Sequence, residues 1–209
     1  MLPITLDLAH LPLALVGTGA QAARRLALLD EAGAADLAVY APKPAPALQQ
    51  AAAARLRPRW PSPVEVASAR LLLIADGVPP EIVKDLVAAA RAAGTLVNVE
   101  DKPALSDFHS PSTLRRGDLL IAVSTGGQSP ALARRLQHFL AGVFGPEWQG
   151  AVEELGRLRR LWREGGADPA EVDRWTLTWM ERQGGLPERT AVLAALEKSG
   201  LPTALSCPA

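Results

Sequence analysis

Short apolar runs alternate with amphipathic stretches along the first hundred residues. Residues 13–17 (LALVG) are apolar and stop at a glycine, and over 20–32 (AQAARRLALLDEA) the positions Ala22, Leu26, Leu29 and Ala32 recur at helical spacing. This predicts strand, tight turn and helix. Gly33 then serves as the C-terminal glycine of that helix, and Asp36-Leu-Ala-Val-Tyr40 predicts a second strand stopped by Pro42. Residues 41–63, rich in Pro and Ala, are expected to wander over the surface with a helical stretch around Leu48 to Leu56. RLLLIA (70–75) predicts a buried strand, Pro79-Pro80-Glu81 opens a helix to about Ala93, and Gly94 precedes the strand Leu96 to Val99. Strand and helix in strict alternation imply a parallel sheet covered by helices.

The pattern changes near Gly117. Asp118 to Ser124 predicts another strand, which leads into a glycine-rich turn and a helix from Pro130 to Val143. Beyond Pro146 the chain reads as wholly helical. Apolar positions Val152, Leu155, Leu158 and Leu161, then Val172, Trp175 and Trp179, are separated by Gly165-Gly166 and Gly184-Gly185. Trp162, Trp175 and Trp179 at this spacing predict packing, not cofactor binding.

Composition narrows the class. Lys plus Arg and Asp plus Glu both number 22, so no overall field recruits nucleic acid or an acidic membrane. The single Cys207 excludes an internal disulfide and a multi-cysteine metal site, and no metal ligand set is expected. The N-terminal apolar run lacks a basic segment and is broken by Asp7, His10 and Pro12, a poor signal peptide. No apolar stretch approaches the roughly 20 residues of a membrane span. A cytoplasmic protein is expected.

Three segments carry candidate chemistry. Gly17-Thr18-Gly19-Ala20-Gln21-Ala22 matches the dinucleotide fingerprint G-x-G-x-x-G/A, placed after a strand and opening a helix. Gly17 permits the tight turn, Gly19 lets backbone approach a pyrophosphate, and the helix N-terminal amides face the phosphates. Strand two ends in Tyr40-Ala41-Pro42, with no carboxylate for a ribose hydroxyl and only Lys43 as a nearby cation, which favours NAD over NADP. Second, Ser124-Thr125-Gly126-Gly127-Gln128-Ser129-Pro130 joins a strand to a helix, with Ser129 as N-cap and paired glycines exposing amides. Arg134 and Arg135 follow one turn later. Third, Asn98-Val99-Glu100-Asp101 places Asp101 just past the end of a parallel strand, where ligands of open α/β sheets bind and a general acid or base is useful. His109 lies eight residues on.

Taken together, over residues 2–145, these segments resemble the precorrin-2 dehydrogenase/sirohydrochlorin ferrochelatase family, including the N-terminal part of siroheme synthase. The resemblance rests on residues 2–34, on 97–136 and on the spacing between them; the STGGQSPALARRL block is its most specific piece. It implies a Rossmann-type sheet domain over 1–109, a small α/β dimerisation module over 110–145 and a helical C-terminal region over 146–209. It further implies that Gly17, Thr18, Gly19, Ala20, Gln21, Ala41, Pro42, Ala75 and Asp76 meet NAD. Asp101 falls on the family's essential aspartate, and Ser124, Thr125, Gly126, Gly127, Ser129 and His109 line the tetrapyrrole side.

The implied activity is NAD-dependent oxidation of precorrin-2 to sirohydrochlorin by a homodimer, with Fe²⁺ insertion left open as a second reaction. A non-catalytic NAD- or tetrapyrrole-binding homologue is the competing reading. Two positions depart from the family pattern. Thr18 replaces the middle glycine of the fingerprint, and Ala75-Asp76-Gly77-Val78 stands where the family usually reads Ala-Thr-Asp-Asp. Gly77 has no hydroxyl, so weakened NAD affinity or hydride geometry is expected there.

Overall fold

A computed structural model describes residues 2–183 and 189–201; Gly184, Gly185 and Cys207 lie outside them. The chain divides into two compact units, residues 1–110 and 111–209.

The first unit is a five-stranded parallel sheet in the order β3-β2-β1-β4-β5. Its strands are β1 (Leu13–Val16), β2 (Leu37–Tyr40), β3 (Leu56–Arg57), β4 (Leu71–Ile74) and β5 (Leu96–Val99). β1 and β4 are buried at every position, as expected of central parallel strands covered on both faces. Alternate residues feed two cores. Leu13, Leu15, Leu71 and Leu73 pack with Ala22, Leu26 and Leu29 of α1 (Ala20–Glu31) and with Leu48 of α2 (Pro46–Ala52). Ala14, Val16, Leu72 and Ile74 pack with Val66 of α3 (Pro63–Ser68) and with Val83, Leu86 and Val87 of α4 (Pro80–Ala93). Truncating a fully buried leucine such as Leu15 or Leu72 to alanine costs about 2–5 kcal/mol in cores of this kind.

Gly33 takes φ 80° just past α1, the helix stop expected from sequence, and Gly94, expected only to precede β5, takes φ 74° and stops α4 in the same left-handed way. The Pro/Ala-rich stretch is more ordered than its composition suggests. After α2 and a 3-10 turn, β3 adds two residues to the edge of β2. Ser62 and Glu65 then form a capping box on α3. Neither element was anticipated: two residues are too few for a periodicity, and α3 is only one and a half turns.

The second unit opens with an antiparallel hairpin, β6 (Ser112–Arg116) paired with β7 (Leu119–Val123). β7 was expected and β6 was not, because its sequence, STLRR, is mostly polar. α5 (Pro130–Val143) packs on the hairpin, and Arg116 donates from Nε to the Phe144 carbonyl at 3.0 Å, closing the end of that helix. α6 (Glu147–Glu164) and α7 (Pro169–Arg182) form a helical pair in which the Trp162 and Trp175 rings meet edge to face at 5.5 Å. α8 (Arg189–Ser199) packs against α5, closely enough that a Cβ on Gly142 would lie 3.1 Å from Ala195 Cβ. No described helix is long and apolar enough to cross a membrane.

Candidate functional site

The strand order reverses between β1 and β4, so the crevice at the C-terminal ends of these two strands is where an open α/β sheet binds ligands. The glycine turn leaves β1 at this point. Gly17 is packed by its surroundings: a Cβ there would fall 2.9 Å from Ala22 Cβ and 3.0 Å from Ala75 Cβ. Its amide donates to the Tyr40 carbonyl at 3.2 Å, while the Ala75 amide donates to Val16 at 2.8 Å. Gly17, Ala75 and the end of β2 beside Ala41 and Pro42 are thereby drawn together.

Gly19 is the N-cap of α1 and has no side chain to satisfy the first-turn amides. They are satisfied from the next loop. Asp76 accepts from the Gln21 amide at 3.3 Å and from the Ala22 amide at 3.0 Å. These are the second and third helical positions, the ones a capping carboxylate takes. A Cβ on Gly19 would sit 2.7 Å from Asp76 Cγ, so the absence of a side chain there is what leaves room for an anionic group on the amides.

The two departures from the family pattern meet in space. Gly77 takes φ 75°, and a Cβ on it would run into Thr18 Oγ1. Thr18 occupies that volume instead, its amide donating to the Asp76 carbonyl at 3.0 Å and its hydroxyl to the Gly77 carbonyl at 3.4 Å.

At the end of β2, burial and the neighbouring Glu65 push the Tyr40 phenol above its ordinary value, which leaves it neutral at physiological pH. Arg59 lies over the Tyr40 ring at 5.8 Å from its centroid and pairs with Glu65 at 2.6 Å. The Arg59 guanidinium and the Ser62 amide hold the Glu65 carboxyl well below the usual carboxylate range. Tertiary structure also brings Arg57 beside Tyr40 through the β2–β3 pairing, which sequence spacing did not reveal.

Asp101 lies at the apex of a pinned turn. The Glu100 amide donates to Ile74 at 2.8 Å, and the return segment runs back along β5: Ser106 Oγ accepts from Val99 at 2.9 Å, Asp107 from Val97 at 2.9 Å, and the Phe108 carbonyl from Asn98 Nδ2 at 2.8 Å. Arg25 of α1 pairs with Glu100 at 2.7 Å and donates to Ser110 Oγ at 3.2 Å, tying this loop to the helix that follows the glycine turn. Asp101 itself has φ 54°, a left-handed conformation that Asp and Asn tolerate better than other side chains. It is exposed, and among the described residues nothing hydrogen-bonds or ion-pairs with its carboxylate. His109 is exposed on the same return segment.

In the second unit, the loop from Ser124 to Ser129 is shaped by its own hydroxyls. Ser124 Oγ accepts from the Gly126 amide at 3.2 Å, Thr125 Oγ1 from Ser129 at 3.0 Å, and Ser129 Oγ from Leu132 at 3.2 Å. Each oxygen is engaged as an acceptor, so each O–H remains able to donate. Gly126 and Gly127 take φ 62° and 83°. Arg134, Arg135 and His138 are exposed along α5 and border a cleft that reaches Ser199. Among the described residues no group of three His, Cys, Asp or Glu could hold a metal ion.

A family described as putative NAD(P)-binding matches residues 4–112, more than half of the chain, and one described as sirohaem biosynthesis protein central matches residues 116–137. The siroheme synthase of Methylococcus capsulatus is 42% identical over 137 residues, covering 65% of this chain and 29% of that protein. That of Thiobacillus denitrificans is 37% identical over 181 residues, covering 78% and 37%. The chain thus spans about a third of the length of these relatives. Among solved structures, SirC, precorrin-2 dehydrogenase, superposes with TM-score 0.72 over 96% of this chain and 99% of that one, at 20% identity, a likeness of fold. With one model covering more than half of the chain and the other the start of its second unit, the chain belongs to the putative NAD(P)-binding family and carries a match to the central part of sirohaem biosynthesis proteins.

Proposed function

We propose that this chain is a dehydrogenase that oxidises precorrin-2 to sirohydrochlorin with NAD⁺. The observation that carries the reading is the amide cradle at the switch point, which already holds one anionic oxygen pair against Gln21 and Ala22. The residues fit a dinucleotide. Gly19 leaves space for a pyrophosphate, Gly17 lets β1 and α1 close up, and the end of β2 at Ala41-Pro42 borders the same crevice. Thr18, Ala20, Ala75 and Asp76 complete its wall. A bound nicotinamide supplies the hydride acceptor.

The chain's own groups supply the rest. Oxidation removes a hydride and a proton from the substrate; the Asp101 carboxylate, exposed and unengaged, takes the proton. Precorrin-2 is a polycarboxylate, so donors arranged in a loop suit it: the hydroxyls of Ser124, Thr125 and Ser129 and the amides of Gly126 and Gly127 hold its carboxylates, and His109 is proposed as a substrate-binding residue of the first unit. Fe²⁺ insertion is left as a second reaction, with the metal as substrate and Asp101 accepting the displaced pyrrole protons.

NAD⁺ is proposed over NADP⁺ because both arginines that the fold brings to the end of β2 are committed, leaving exposed Lys43 as the nearby cation. Arg59 is paired with Glu65, and Arg57 NH1 donates to the Ala54 and Leu56 carbonyls at 3.0 and 3.3 Å. To use either arginine, a ribose 2′-phosphate would have to break these contacts. The test is to incubate purified protein with precorrin-2 and either dinucleotide and follow sirohydrochlorin by absorbance. Turnover with NAD⁺ at least about 10-fold more efficient than with NADP⁺ is expected, equivalent to about 1.4 kcal/mol of discrimination. Absence of turnover with both would leave the non-catalytic reading in its place.

The protein is further proposed to be a cytoplasmic homodimer with no nucleic-acid or membrane partner. Of the β6–β7 hairpin only Leu114 is fully buried, while Leu119, Leu120, Ile121 and Val123 remain half-exposed. These positions stay half-exposed even with α5 and α6 packed on the hairpin, a face that a second copy would fill. Light scattering at micromolar concentration should give twice the 22.1 kDa chain mass; a monomer would contradict this.

A further inference from the structure

We infer that Asp76 is a resident counter-anion of the nucleotide cradle, a side chain that competes with the dinucleotide pyrophosphate and sets its affinity. The inference rests on the reading above that the cradle binds NAD⁺. Three observations meet at one place. The Asp76 carboxylate accepts from the Gln21 and Ala22 amides, the donors a pyrophosphate would use. It lies against Gly19 so closely that a Cβ there would fall 2.7 Å from its Cγ, so it occupies the approach that the missing side chain opens. Its backbone is held in position by the Thr18 amide on the Asp76 carbonyl at 3.0 Å and by the Ala75 amide on Val16 at 2.8 Å.

The physical consequence follows from charge and from donor count. Two amides cannot satisfy a carboxylate and a pyrophosphate together, and the two anions repel at contact distance. A dinucleotide therefore binds only when the carboxylate leaves. Since the backbone at 75–77 is tied to the glycine turn, the exchange is a rotation of the Asp76 side chain about its own torsions. In the absence of nucleotide the same carboxylate caps α1, so the helix start is satisfied in both states. Asp76 is thus an affinity-setting residue and not a catalytic one.

The test is calorimetric titration of NAD⁺ into the full chain and into Asp76→Ala and Asp76→Asn, with thermal unfolding of each without nucleotide. Asp76→Ala is expected to bind NAD⁺ about 10-fold or more tightly than the parent, the scale of a charge-assisted hydrogen bond, with Asp76→Asn in between. The same variant is expected to melt about 2–4 °C lower without nucleotide, because α1 loses its cap. Equal or weaker binding by Asp76→Ala, with the parent binding normally, overturns the inference and leaves the NAD reading standing. No binding of NAD⁺ or NADP⁺ by parent or variants at millimolar concentration overturns the NAD reading, and the inference with it. Should Asp76→Ala not fold, Asp76→Asn decides alone: tighter binding supports the inference and unchanged binding overturns it.

Discussion

Asp101→Asn is expected to lower sirohydrochlorin formation by at least about 10²-fold, the lower end of what a general base contributes, while NAD⁺ affinity stays near that of the parent. The geometry makes this substitution a clean one. Asp101 sits at φ 54°, and asparagine is among the few residues that accept that backbone, so the turn should survive where alanine would strain it. No hydrogen bond or ion pair is lost, because none among the described residues engages the carboxylate. The loop is held by other groups: Ser106, Asp107 and Phe108 along β5, and Arg25 on Glu100. What the variant removes is the capacity to take a proton. If metal insertion occurs and uses the same carboxylate, it falls in parallel; if it uses other groups such as His109, it survives. A folded Asp101→Asn protein that oxidises precorrin-2 at the parental rate would place the chemistry elsewhere.

Gly19→Val should abolish NAD⁺ binding in a folded protein, and turnover with it. At φ −104° the backbone accepts a side chain, so the objection to valine is purely one of space. A Cβ on Gly19 would press on the Asp76 carboxylate, in the volume a pyrophosphate would need, and a branched side chain has two further methyl groups to place there. Rotation of Asp76 can relieve the clash in the free protein, which is why folding is expected to survive. No such retreat is open to a phosphate that must reach the Gln21 and Ala22 amides. Titration calorimetry gives the readout, and an unchanged NAD⁺ affinity in a folded variant would count decisively against placing the dinucleotide at this turn.

Much of the first unit was legible along the chain. β1 and β4 are short apolar runs and β5 a short, mostly apolar one, α1 and α4 repeat their apolar positions at helical spacing, and Gly33 and Gly94 mark where helices stop. The glycine turn was equally plain, because the fingerprint, the preceding strand and the following helix are contiguous. These features are local. Each depends on residues within a turn or two of one another, and periodicity or a backbone requirement leaves its trace in adjacent letters.

What the tertiary structure decided lies between residues far apart in sequence. Asp76 reaches amides 54 and 55 positions away, and Arg25 reaches Glu100 across 75. Read linearly, Thr18 and Gly77 are two separate departures from a family pattern; folded, they are one exchange of volume across facing turns. β3 exists because the edge of β2 has amides and carbonyls to satisfy, a demand that two residues of its own sequence could not announce. The sequence by itself determined that an anion-binding turn would form at the end of β1 and that Asp101 would follow β5. Only the fold brought a carboxylate of the chain's own into that turn, because the contact depends on strand order, with β4 beside β1, and strand order is settled by packing across the sheet and not by neighbours along the chain.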